Sequence, residues 1–200
     1  MAQKSFLKTA AFLVLLAGIS ASGAFAQITV SGGFALSKMD AKSSGQSVEG
    51  DIGVGGNIYL DYLLPINIPL SLGGEIGVDS SSITEGGATD NVLAIPILLR
   101  AAYHFDLNPK LDLYLVGKIG YTLGFITSGP SKEYLESAGG LAIGFDVGVA
   151  YYFTSFIGVF AEGGFDDYMV KSKFSFSGGY SWTIDTPFYR FITLGISIKK

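Results

Sequence analysis

The sequence predicts an all-β fold, an eight-stranded antiparallel up-and-down transmembrane β-barrel, and three observations carry that prediction. Eight segments alternate large apolar residues with small or polar ones at period two, and the connections between them alternate between long and short. The composition is also too apolar for an ordinary soluble domain. Of 200 residues 48% are hydrophobic and only 15% charged, with 28 glycines and a mean hydropathy of +0.43, whereas soluble domains run near about 25% charged. Past residue 30 no apolar run is long enough for a membrane helix. The absence of cysteine excludes a disulfide scaffold, a thiol nucleophile and cysteine-ligated metal.

The first 26 residues read as a cleaved signal peptide. Lys4 and Lys8 precede an apolar stretch over 10–19, and Ala24-Phe25-Ala26 supplies a small-residue cleavage site before Gln27. The stretch is shorter than the roughly 20 residues a membrane span needs. Residues 27–200 then form the barrel. The leader carries two lysines and no acid, so 13 basic and 17 acidic side chains become 11 and 17, a formal charge of −6. That balance disfavours nucleic acid as a partner.

Eight strand segments follow in order, over 28–37, 51–62, 70–79, 93–105, 111–123, 141–153, 157–166 and 191–198. The first sets Ile28, Val30, Phe34 and Leu36 against Thr29, Ser31, Gly33 and Ala35. The fifth sets Leu113, Leu115, Ile119 and Tyr121 against Asp112, Tyr114, Lys118 and Gly120. In the last, Ile192, Leu194, Ile196 and Ile198 oppose Phe191, Thr193, Gly195 and Ser197. One face is bulky and apolar throughout, the other small, polar or charged. A soluble barrel must solvate its outer face with charge. Here the charges share a face with glycine and alanine, which suits a narrow lumen, while the bulky face meets hydrocarbon at no solvation cost.

Connections 38–50, 80–91, 127–139 and 167–186 are long and polar, and 64–69, 106–110 and 154–155 are short. Such alternation marks external loops and tight periplasmic turns. An even strand number closes the sheet, as hydrocarbon requires.

The architecture, together with Ala94-Ile95-Pro96-Ile97-Leu98-Leu99-Arg100-Ala101-Ala102-Tyr103, Gly158-Val159-Phe160-Ala161-Glu162-Gly163-Gly164-Phe165 and the final strand, resembles the small outer-membrane barrels of the OmpX, OmpA-domain and OmpW type, the outer membrane protein beta-barrel domain grouping. Thr193, Gly195 and Ile198 fit an assembly signal, with Lys200 where a terminal aromatic is usual. The resemblance implies a cell outer membrane location, contact with outer-membrane lipid, passage through the barrel-assembly machinery and a monomeric state.

Inward parity and distance from the short turns place Glu75, Arg100, Lys118, Asp146 and Glu162 at one level near mid-barrel, where three acids around two bases form a lumen charge network. His104, the one histidine, falls inward at the periplasmic rim near Asp61 and Asp112, where a rim hydrogen bond is expected. In the fourth long connection Phe174 and Phe176, then Tyr180 and Trp182, flank Gly178-Gly179, a two-residue hairpin signal whose aromatics form a membrane girdle or a sticky patch. No nucleophile elbow, zinc-protease or phosphate-loop motif occurs, so no cofactor, metal or enzyme activity is expected.

The function expected is therefore that of a non-enzymatic anchor with a plugged lumen, whose external loops act in surface interaction or adhesion with a host or environmental ligand. The alternative, implied by the OmpW resemblance, is a narrow channel for small or hydrophobic solutes. Bulky inward Tyr59, Tyr114, Tyr152 and Phe160 argue for obstruction.

Overall fold

Alternation at period two becomes a wall with two chemically distinct faces when neighbouring strands pair in register. The computed structural model describes residues 27–43, 46–175 and 180–200; the expected signal peptide lies outside the described residues. The strands are β1 (Gln27–Ser43), β2 (Gln46–Leu63), β3 (Leu70–Glu85), β4 (Ala88–Asn108), β5 (Leu111–Ser128), β6 (Leu135–Tyr152), β7 (Ile157–Tyr168), β8 (Lys171–Ser175), β9 (Ser181–Asp185) and β10 (Phe188–Lys199). From β1 to β7 each pairs antiparallel with the next. β10 pairs with β7 on one side and with β1 on the other, from Thr29↔Lys199 to Met39↔Phe188, which closes an eight-stranded barrel.

The other two strands extend this wall. β8 pairs with β6 between Leu135 and Gly139, and β9 meets β1 at Lys42↔Asp185, so the β8–β9 hairpin stands as a continuation of β7 and β10. Pro187 has no N–H to give the ladder, and the break it marks is bridged by the Thr186 amide donating to the Val170 carbonyl at 2.8 Å.

The polar connections expected over 38–50, 80–91 and 167–186 are largely strand. β1 and β2 run to Ser43 and from Gln46, and β3 and β4 meet at a two-residue turn of Gly86 (φ 58°) and Gly87 (φ 84°). Both central residues of that turn lie at positive φ, which glycine adopts without strain. In these extensions the outward residues, such as Lys38, Asp40, Ser80, Ser82, Lys171 and Lys173, are polar, so the apolar-polar contrast that marks a strand fades although the ladder continues. The connection 127–139 holds a 3-10 turn over Pro130–Tyr134 between two strand ends. On the periplasmic side Asn108 Oδ1 accepts the amides of Lys110 (2.9 Å) and Leu111 (3.0 Å), and Thr154 Oγ1 accepts that of Ile157 (2.9 Å).

Outward, Phe34 is 84% and Leu99 68% exposed, part of an apolar belt that runs around the barrel. Tyr103, Phe105, Tyr151, Phe153 and Phe156 cluster on its periplasmic side. The last strand departs from simple parity. A register shift between Arg190 and Ile192, matched by one between Leu36 and Ser37, leaves both Phe191 (41%) and Ile192 (39%) exposed. Period-two alternation predicts Phe191 inward; the bulge puts it on the lipid face and swings Arg190 into the lumen.

Inside, two apolar layers sandwich a polar one. Met39, Ala94, Leu98, Ala142, Tyr168, Val170 and Phe188 pack at the external end, and Tyr59, Ala102, Tyr114, Val116, Ala150, Tyr152 and Phe160 towards the periplasm. The Tyr114 ring lies against Gly148, where a Cβ would fall inside the ring.

Leu99→Arg is expected to lower bilayer-refolded stability by about 2 to 4 kcal/mol, because it puts a charge in the hydrocarbon belt; denaturant titration in vesicles measures it. Gly148→Ala is expected to cost about 1 to 3 kcal/mol by overpacking against Tyr114, in the same titration.

Candidate functional site

Between the two apolar layers lie three cations and six carboxyl groups, all buried: Arg100, Lys118 and Arg190 with Asp61, Glu75, Asp79, Asp146, Glu162 and Asp166. Strand pairing stacks them, since Arg100 on β4 opposes Lys118 on β5, and Asp166 on β7 opposes Arg190 on β10. Room comes from glycines on the neighbouring strands. A Cβ on Gly73, Gly55, Gly144 or Gly164 would strike Asp61, Asp79, Asp166 or Asp146 respectively.

Glu75 is the centre of the network. One carboxylate oxygen takes Arg100 Nη1 at 2.8 Å and faces Lys118 Nζ at 3.6 Å; the other pairs with Arg190 Nη1 and accepts the Asn57 amide at 2.9 Å. Arg100 also grips Glu162 through both terminal nitrogens (2.7 and 3.3 Å), turns Nε towards Asp61 at 3.4 Å, and lies 3.7 Å above the Tyr59 ring. Arg190 holds Asp79 in the same two-point way, at 2.6 and 3.3 Å. Lys118 reaches Asp166 at 3.0 Å, Glu162 at 3.6 Å and Asp146. Paired guanidinium–carboxylate forks of this kind are the strong form of the ion pair, and burial without them is costly. Six acids against three bases leave three formal negative charges, so each cation serves several carboxylates.

Below the network a cavity of about 370 Å³ opens at the end bearing the short turns. Tyr59, Tyr114, Tyr152 and Phe160 form its roof and walls, with Ser31, Ser71, Asp61, His104, Asp112, Ser197 and Lys199 among its polar groups. His104 is held from both sides: Nε2 lies 2.9 Å from Ser71 Oγ, and Nδ1 2.9 Å from Asp112 Oδ2. The Lys199 ammonium sits 3.7 Å over the Tyr152 ring.

The structure thus brings Glu75, Arg100, Lys118, Asp146 and Glu162 into one cluster and adds Asp61, Asp79, Asp166 and Arg190 to it. The first three of those additions had inward parity in the sequence but lay off the chosen level. Arg190 carried no such signal, because the bulge reverses its parity. Asp112 bonds His104, whereas Asp61 turns to Arg100.

Of the expected aromatic patch, Phe174 and Tyr180 have described side chains, and they differ in exposure. Phe174 is only 8% exposed, on the inward face of β8, and Tyr180 is 78% exposed. Residue Trp182 pairs in register with Phe174, and Phe176 lies outside the described residues. Alternation on a curved wall sends every second side chain of β8 towards the axis, which is why Phe174 is covered. Among the described residues no group of histidine, aspartate and glutamate is arranged to hold a metal ion.

A closed eight-stranded barrel, apolar outside and ion-paired within, with short turns at one end and raised strands at the other, defines a small outer-membrane β-barrel protein. The family model described as "Outer membrane protein beta-barrel domain" matches residues 9–181, and the chain belongs to that family. Its place is the cell outer membrane. Solved structures agree on the fold. The outer membrane protein OprG from Pseudomonas aeruginosa is 14% identical with a TM-score of 0.57, over 87% of this chain and 95% of that one. Ail, the attachment invasion locus protein of Yersinia pestis in complex with the heparin analogue sucrose octasulfate, is 15% identical with a TM-score of 0.53, over 88% and 99%. A major outer membrane protein from Thermus thermophilus is 12% identical with a TM-score of 0.53, over 88% and 99%. At these identities the likeness is one of fold. No curated protein sequence matches the chain.

Arg100→Ala is expected to cost about 3 to 5 kcal/mol, since it leaves buried Asp61 without a cation and takes one cation each from Glu75 and Glu162. Glu162→Gln should cost less, because it removes one of the excess negative charges and keeps hydrogen-bonding atoms in place. Denaturant titration of both variants in detergent micelles, side by side with the parent, checks the order.

Proposed function

We propose that the protein is a non-conducting outer-membrane anchor that holds a β-sheet platform above the membrane for surface interaction or adhesion. The carrying observation is the three-layer filling of the lumen. A solute entering from outside meets Met39, Tyr168 and Phe188, then the ion-paired layer, then Tyr59 and Phe160. Rigidity below and reach above are what a display scaffold needs. The β8–β9 hairpin and the prolonged β1–β2 and β3–β4 hairpins supply the reach.

At the base of the β8–β9 hairpin a recess of about 300 Å³ is lined by Lys42, Asp167, Met169, Lys171, Asp185 and Tyr189. Mixed charge beside apolar surface suits a polar ligand with an apolar edge. The similar fold of Ail, an attachment protein by its description, supports the reading without naming a ligand for this chain.

Planar-bilayer recording of the refolded protein should show conductance near zero. Replacing residues 171–185 by a short turn should abolish cell-surface binding while leaving heat-modifiable migration, the signature of a closed barrel, unchanged. Steady conductance in the parent protein would overturn the anchor in favour of the narrow channel for small or hydrophobic solutes.

A further inference from the structure

At the end of the barrel away from the platform, three side chains on three adjacent strands form one hydrogen-bonded line: Ser71 on β3, His104 on β4 and Asp112 on β5. With the imidazole neutral, as a general base must be, a carboxylate that only accepts places the imidazole proton on Nδ1, facing Asp112. Nε2 is then the acceptor and the Ser71 hydroxyl donates to it. The nitrogens are used in the order that activates a serine nucleophile, with the base oriented by a third group. All three residues line the 370 Å³ cavity, whose size falls within the range of small-molecule sites, roughly 300 to 1,000 Å³.

We propose that Ser71, His104 and Asp112 form an acyl-transfer centre, in which Ser71 attacks small carboxylic esters entering from the periplasm. This is an activity beyond the anchor role and contrary to the expectation of no enzyme drawn from motifs. Ser71 Oγ forms a bond to the ester carbonyl carbon as its proton passes to His104 Nε2. The ester C–O bond breaks, and the leaving alcohol takes that proton. Water then attacks the acyl-serine with the same base, releasing the acid and restoring the hydroxyl. Asp112 is a positioning residue that acts through the imidazole. The Tyr59 and Tyr152 phenols and the Lys199 ammonium share the cavity as donors towards a developing oxyanion, and the aromatic walls favour a short apolar acyl group.

The same cavity contains its own control. Ser31 and Ser197 also line it, 3.0 Å apart and bonded to each other, with no histidine partner. The test uses the mature protein refolded in detergent micelles, a fluorophosphonate probe and p-nitrophenyl butyrate, with adducts mapped by peptide mass spectrometry. Ser71 should label at least about 100-fold faster than Ser31 or Ser197, the smallest factor typical of a general base. His104→Gln, which keeps side-chain hydrogen bonds to both neighbours but cannot serve as the base, should lower Ser71 labelling and ester hydrolysis by about the same factor while the barrel stays heat-modifiable. Asp112→Asn should lower kinact and leave KI unchanged, a split that a merely structural contact would not produce. Equal labelling of the three serines, no adduct at Ser71, or full reactivity in folded His104→Gln would overturn the proposal. Conductance and surface binding bear on the anchor alone, so the two readings fail separately.

Discussion

Hydrocarbon offers no hydrogen bonds, and the seam between β1 and β10 is where this chain meets that constraint. Once Thr29 faces Lys199 and Met39 faces Phe188, the membrane-spanning ladder has no open edge. Closure with only eight strands leaves a lumen a few side chains wide, which must be filled. Inward residues therefore divide into those small enough to make room, such as Gly73 and Gly144, and those that reach across, such as Arg100 and Arg190. A bilayer outside and a narrow lumen inside thus select opposite chemistries for alternate positions of every strand.

The lumen shows how strongly geometry limits electrostatics. Glu75 meets all three cations because its height on β3 falls between those of Asp61 on β2 and Asp79 further along β3, where Arg100, Lys118 and Arg190 all reach it from different sides. With twice as many carboxyls as cations, no pair is isolated. Apolar layers above and below bury the cluster, and that burial gives each contact its strength and each deletion its cost.

Parity made the outer belt legible residue by residue, because lipid and lumen impose contrasting demands at each step of a strand. Parity and height also located Glu75, Arg100, Lys118, Asp146 and Glu162. What they missed has three physical causes. Arg190 is turned inward by a bulge, and an inserted residue leaves no mark in a single sequence. Asp79 and Asp166 lie off the chosen level, yet arginine and lysine side chains are long enough to bridge levels. Ser71 meets His104 across a diagonal, which depends on register between strands, whereas period-two reading gives only the face. The raised hairpins look like loops in the sequence for the opposite reason, since polar residues on their outward face remove the contrast on which parity depends.

The order of strands along the chain distributes the charges of the ion-paired layer unevenly. All six lumen carboxyls reside on β2, β3, β6 and β7, while the third cation, Arg190, comes only with β10. A sheet that has curled but not yet received its last strand holds six acids against two cations, with Asp79 lacking the guanidinium that grips it in the closed state. Seven strands without the eighth would therefore carry one more uncompensated charge inside than the closed barrel does. One element, β10, thus supplies both the closing edge of the backbone seam and the third cation of the interior.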